Sequence, residues 1–184
     1  MMSDRQIIKG CISHDREAQR LLYDRYSRFL LGVCMRYASC KAEAEDILQD
    51  CFLKIFFNIK NYNGTGSFEG WLRKIAVNTA ITHYNKTLKS RYYMEFGEYL
   101  SSEKGEKSFE EDLFSADELF MVLNELSAGY RMVFNLYAIE GYKHKEIAAM
   151  LGIDVNTSKS QYSRAKGVIR DKLSKLRELK KTYS

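Results

Sequence analysis

The chain has 184 residues, no proline, 45% hydrophobic residues and a formal net charge of +5. That length suits one ordinary domain or two small ones, and helically spaced apolar residues with no proline to interrupt them point to an all-α protein. Charges break every apolar run well short of a membrane span, and Met1-Met2-Ser3-Asp4-Arg5 lacks the apolar run of a signal peptide, so a cytoplasmic protein is expected.

In chain order, Ser3 can cap a short helix ending near Gly10. Asp15 can cap a longer one from Arg16 to about Tyr37, with Ala18, Leu21, Leu22, Phe29, Leu30 and Val33 among its apolar positions. A third helix is expected from about Ala42 to Asn58. Its apolar set (Ile47, Leu48, Cys51, Phe52, Ile55, Phe56, Ile59) is broad enough to be buried on most sides. Asn61-Tyr62-Asn63-Gly64-Thr65-Gly66 is a loop by composition, after which Ser67 caps a helix to about Lys86 with Phe68, Trp71, Leu72, Ile75 and Ala76 inward. Residues 89–112 are polar and weakly patterned, a flexible acidic linker. Helices resume over about Ser115–Leu126, Ala128–Ile139, Lys143–Leu151 and Val155–Leu179. The expected organisation is two small helical bundles, 1–88 and 113–184, joined by 89–112.

Charge follows the same division. Residues 1–94 carry a net +6, residues 95–142 a net −8 and residues 143–184 a net +7. Two basic blocks joined by an acidic one suggest two nucleic-acid-facing modules and a connector that either stays solvated or meets a basic partner.

The densest signal is His144 to Leu173. Ile147, Ala148 and Leu151 form an apolar stripe, Gly152 supplies the positive φ of a short turn, and Ile153 plugs the angle before the next helix. Asp154 or Asn156 can accept the first amide protons of that helix. Tyr162, Ala165, Ile169, Leu173 and Leu176 then fall on one face, while Asn156, Lys159, Ser160, Ser163 and Arg164 mark the other. This is a helix-turn-helix whose second helix offers small, polar and basic side chains to a DNA groove; the bland alternative is an amphipathic hairpin with a basic wet face.

No phosphate loop, nucleophile motif or metal-ligand spacing accompanies it, so no catalytic residue, cofactor, metal or small-molecule substrate is expected. Cys11, Cys34, Cys40 and Cys51 match no zinc pattern and read as free, mostly buried thiols, and His14, His83 and His144 read as surface or capping residues. A dimeric helix-turn-helix regulator and an adaptor that never touches DNA remain open on these features alone.

The first bundle narrows the choice. It carries Ala44-Glu45-Asp46-Ile47-Leu48-Gln49-Asp50-Cys51-Phe52-Leu53-Lys54-Ile55-Phe56, a Gly-containing loop, and Phe68-Glu69-Gly70-Trp71-Leu72-Arg73-Lys74-Ile75-Ala76-Val77-Asn78-Thr79-Ala80. With Glu140-Gly141-Tyr142 before the helix-turn-helix, the chain resembles an extracytoplasmic-function (group 4) sigma factor of the sigma-70 family, over nearly its whole length. The resemblance implies binding of core RNA polymerase through its β′ clamp helices and β flap, promoter DNA as target, an anti-sigma factor as regulator, and a monomer when free. It implies that Asp46, Gln49 and Asp50 meet the Arg-rich clamp helices, where charge-assisted bonds fix orientation. It makes Asn63, Ser67 and Phe68 candidates for a pocket that captures an unstacked minus-ten base, and Arg73, Lys74 and Asn78 candidates for backbone or base-edge contacts. Trp71 is either a stacking platform or a core anchor under the loop. Asn156, Lys159, Ser160, Ser163 and Arg164 are the candidates for minus-thirty-five contacts. Two departures stand out. Ser127 follows Leu126 where the family often has proline, and Asp154-Val155-Asn156-Thr157 replaces the common Ser-x-Gly-Thr turn.

Overall fold

A computed structural model describes residues 2–92 and 114–182. Among them every regular element is helical, and the chain divides into two compact units, Met1–Lys86 and Thr87–Ser184. The linker expected over 89–112 lies outside the described residues except at its start, where the fourth helix runs on to Tyr92.

In the first unit, helix α1 (Asp4–Ile12) starts at Ser3, which forms a reciprocal capping box with Gln6. Helix α2 (Arg16–Met35) starts at Asp15, whose carboxylate accepts from Glu17 N–H at 2.8 Å. The two helices cross closely at Gly10: a Cβ there would lie 2.5 Å from Ala18 Cβ. Arg25 on α2 donates to Asp4 and to the Met2 carbonyl, both at 2.7 Å, and so ties the chain start down. Helix α3 (Lys41–Asn58) begins after Cys40, which gives no side-chain cap. Glu43, in its first turn, accepts instead from Ser39 N–H at 2.6 Å. A 3₁₀ turn (Ile59–Asn61) and a loop lead to helix α4 (Phe68–Tyr92). The core joins Leu22, Leu30, Ile47, Ile55, Ile59, Leu72 and Val77, all at most 2% exposed. Removing that much apolar surface from water is what holds helices whose caps contribute only about 1 kcal/mol each.

Buried thiols belong to this core. Cys11, Cys34 and Cys51 are free and buried, and burial pushes their pKa to about 11, about 12 and about 12. Cys40 is free and exposed.

In the second unit, helix α5 (Ala116–Asn124) is opened by a Ser115–Glu118 capping box. Ser127 occupies the cap position of α6 (Ala128–Phe134) but makes no side-chain cap bond, although serine is a good helix cap by type. The helix expected to run to Ile139 loosens into a π-helical segment over Asn135–Ile139 and stops where Glu140 N–H reaches the Asn135 carbonyl. Helices α7 (His144–Leu151) and α8 (Val155–Thr182) follow. Val122, Leu126, Ala165, Ile169 and Leu173 form the core between α5 and α8, with Phe114 and Leu176 packed on it. Arg131, 4% exposed, donates to the Asn124 carbonyl at the end of α5. At the rim, Lys172 pairs with Glu125 and Lys180 with Glu118, holding the Glu118 carboxyl below its usual range.

Candidate polymerase and nucleic-acid interfaces

Each unit presents its candidate residues on helix faces that point away from its own core. On α3 the buried face carries Ala44, Ile47, Leu48, Cys51, Phe52, Ile55 and then Ile59. The opposite face carries Asp46 and Gln49, both exposed, with Asp50 half-buried beside them. Spacing of three and four residues puts the three polar groups on one wall of the helix. Among the described residues, Asp46 and Gln49 are exposed to solvent, a carboxylate and an amide on one side of α3.

The loop after α3 is shaped by its own side chains. Asn63 Oδ1 accepts from Thr65 N–H at 3.0 Å and Thr65 Oγ1 at 2.6 Å, an Asx turn. Tyr62 OH donates to the Gly66 carbonyl at 3.1 Å, and Gly64 and Gly66 take φ of +76° and +78°. Ser67 caps α4 by accepting from Gly70 N–H at 3.0 Å, so its hydroxyl oxygen already has one task.

One expectation changes here. Phe68 is 6% exposed, ringed by Tyr26, Tyr62 and Trp71, and is the floor beneath the loop rather than the lining of an open pocket. The rings of Tyr26, Tyr62 and Trp71 pack around this first residue of α4 and cover it. Trp71 stacks on Phe68 at 5.8 Å with 14° between planes and stays half-buried, so it anchors the loop and shows one side to solvent. Lys74 and Asn78 are exposed, and Trp71, Lys74 and Asn78 share one helix face. Arg73 does not: it is half-buried and lies roughly 100–160° around α4 from each of them.

The second unit forms the helix-turn-helix. Gly152 ends α7 with φ +65°, a left-handed cap no β-carbon residue takes cheaply. Ile153 N–H then reaches the Ala148 carbonyl at 3.1 Å and turns the chain into α8. Of the two candidate caps, Asp154 does the work: its Oδ1 accepts from Asn156 N–H at 2.7 Å, which leaves Asn156 exposed. Ser158, Ala165, Ile169 and Leu173 face the core, and Asn156, Lys159 and Ser163 are exposed on the far side. Ser160 is half-buried and donates to the Thr157 carbonyl, while Arg164 is half-buried, its Nε buried and without a hydrogen-bond partner among the described residues. These five span roughly 140° of one face of α8. They share one side of α8, but Ser160 already spends its proton locally.

Sequence reasoning missed His144. Rather than a capping or surface group, its Nδ1 is hydrogen-bonded at 3.0 Å to Ser158 Oγ, a residue 0% exposed. Its ring stacks on Tyr137 at 4.3 Å and meets Tyr162 edge-on at 5.8 Å. One imidazole thus joins the π-helical segment, α7 and α8. Burial, then the nearby Lys159 charge, lowers its pKa below the usual 6.5.

Comparison with known proteins addresses both units. The Sigma-70 region 2 family matches residues 22–89, and Sigma-70, region 4 matches residues 116–167, in that order and over well more than half the chain. The chain belongs to the sigma-70 family. It is an extracytoplasmic-function RNA polymerase sigma factor, one of a family of transcription regulators that direct transcription initiation. The RNA polymerase sigma-H factor of Pseudomonas aeruginosa is 27% identical over 176 residues, covering 90% of this chain and 91% of that one. The ECF RNA polymerase sigma-E factor of Escherichia coli K12 is 27% identical over 186 residues, covering 95% and 96%. The sigma factor RpoE in complex with the anti-sigma factor NepR, from Bartonella quintana, is 21% identical with a TM-score of 0.49, over 84% of this chain and 96% of that one. Among the described residues, no helix of this sigma factor is long and apolar enough to cross a membrane.

Proposed function

We propose that this sigma factor divides its work between the two units. Asp46, Gln49 and Asp50 on α3 dock core polymerase, and the loop over Tyr62–Ser67 with Trp71, Lys74 and Asn78 on α4 engages the opened minus-ten element. The outward face of α8 reads the minus-thirty-five element, with Lys159 and Arg164 as its charged groups. The observation that carries this is the pair of exposed polar faces, one on α3 and one on α8, each lying opposite the side its helix packs into its own core. Acid and amide side chains suit Arg-rich helices. Small and basic side chains on a helix reached through a tight turn suit a major groove.

Asn63 and Ser67 serve by shaping the loop through the Asx turn and the α4 cap, and Phe68 serves by supporting it. Arg73 belongs to a different face from Lys74 and Asn78, so its contact is with something other than the strand they hold. Catalysis lies with the polymerase; this chain contributes binding and needs no cofactor, works in the cytoplasm, and is a monomer until it meets core polymerase or the anti-sigma factor expected for its family.

Binding of a labelled minus-thirty-five duplex with and without core polymerase tests the reading. Weak binding by the free chain and tight, sequence-specific binding in the presence of core is the expected result. In the complex, Arg164→Ala is expected to cost about 1–3 kcal/mol at one base position if it reads an edge, and Lys159→Ala to weaken all sequences alike. Tight binding of a palindromic duplex by the free chain contradicts the reading and favours a dimeric regulator.

A further inference from the structure

The exposed face of α3 does not end at its polar residues. Leu53 is 68% and Phe57 75% exposed, and no large apolar side chain among the described residues is more so. Single exposed apolar residues are ordinary, but these two sit one turn apart on a helix whose other side is fully packed. Leu53 comes seven residues and Phe57 eleven after Asp46. All three therefore fall within roughly 20° of one line along the helix, about 16 Å long. Lys60 closes the strip, its Nζ 5.7 Å from the Phe57 ring centroid.

Positions 46, 49, 50, 53 and 57 repeat at the three-and-four spacing that a second helix laid alongside touches. The strip is acidic and amide-bearing at its start and apolar further on. Its complement is a helix with basic residues at one end and an apolar ridge at the other. We propose that Leu53 and Phe57 are the apolar anchor of the polymerase-docking face, seated on the same polymerase helix whose basic residues meet Asp46 and Asp50. This rests on the docking role proposed above for Asp46, Gln49 and Asp50, and adds to it what supplies the affinity. The polar end orients and steers, and the apolar end is desolvated on contact, as interface hot spots are.

The two contributions differ in their response to salt, because screening weakens ion pairs and leaves apolar burial nearly untouched. The test is the binding of full-length variants to purified core polymerase across a salt series. Leu53→Gln and Phe57→Gln keep helix propensity and disturb no core contact, so their melting curves should match the parent. Each is expected to weaken binding about 10-fold, and the pair about 100-fold, with the salt slope unchanged. Asp46→Asn with Asp50→Asn should weaken binding and flatten the slope. Ile12→Gln, an equally polar change at a 46% exposed site on α1, should leave binding alone. Unchanged affinity in the Leu53 and Phe57 variants, with loss in the aspartate pair, overturns the anchor and leaves the docking role standing. So does an equal loss in Ile12→Gln. Full affinity in all of them overturns the docking role itself, and the anchor with it.

Discussion

Replacing His144 with phenylalanine tests how the helix-turn-helix is held. The aromatic ring can keep its place against Tyr137, but Ser158 Oγ, in a residue 0% exposed, loses the partner it holds at 3.0 Å. A buried hydroxyl left without a partner costs about 1–3 kcal/mol. Ser158→Ala removes the hydroxyl instead and leaves His144 half-buried, able to bond water, so it should cost about 0.5–1.5 kcal/mol. The double variant has no orphaned group, and should be no less stable than His144→Phe alone. The non-additivity should reach about 1–2 kcal/mol, the range expected for directly contacting residues. The pH response follows from the lowered His144 pKa. Folding favours the neutral imidazole, so this stabilisation is present above about pH 6.5, the unfolded value, and is lost as pH falls through it towards the lower folded value. Native-state hydrogen exchange of α7 and α8 amides, corrected for intrinsic pH dependence, reads both effects. Additive losses, or a parent protein that gains stability between pH 7 and 5.5, would refute the clamp.

Further outcomes test other parts of the account. Gly152→Ala should destabilise the second unit by about 1–2 kcal/mol through backbone strain alone, since φ is +65° and a Cβ would meet nothing within 4 Å; an unchanged melting curve would contradict that turn geometry. Gly10→Ala should cost about 1–3 kcal/mol because its Cβ would lie 2.5 Å from Ala18 Cβ, and Gly32→Ala, with open space around it in α2, should stabilise by about 0.5–1 kcal/mol; thermal melts that rank the two the other way would refute the close crossing. In promoter opening by the assembled polymerase, read by permanganate reactivity of unpaired thymines, Lys74→Ala and Asn78→Ala should each reduce opening severalfold, and Arg73→Ala less. Equal losses would deny that the two faces of α4 differ in role.

Most of the fold is legible in the sequence where local chemistry decides it. Ser3 with Gln6, Asp15, Ser67 and Ser115 with Glu118 announce helix starts because each cap is satisfied within three residues. The faces of α3 and α8 follow from period alone, so Asp46, Gln49, Asn156, Lys159 and Ser163 could be placed outward before any coordinates. What the sequence hides depends on contacts between distant residues. His144 and Ser158 are fourteen residues apart, and nothing local marks either as the other's partner. Period places Phe68 and Trp71 near one another on α4, but only the packing of Tyr26 and Tyr62 decides that Phe68 is covered and Trp71 half-open. The π-helical segment at Asn135–Ile139 likewise keeps an apolar pattern that an α-helix would share. Leu53 and Phe57 fall on the Asp46 line by period, but they sit inside an apolar run that reads as core on most sides, and their exposure shows that this run is not covered all round.

Run-off transcription from a promoter library, with purified core polymerase and with or without this chain, tests the central claim most directly. The account predicts specific transcripts that require the chain and vanish with Asp46→Ala plus Gln49→Ala. Transcripts that persist in that double variant would refute the docking face, and none at all from core with the parent chain would contradict its working as a sigma factor.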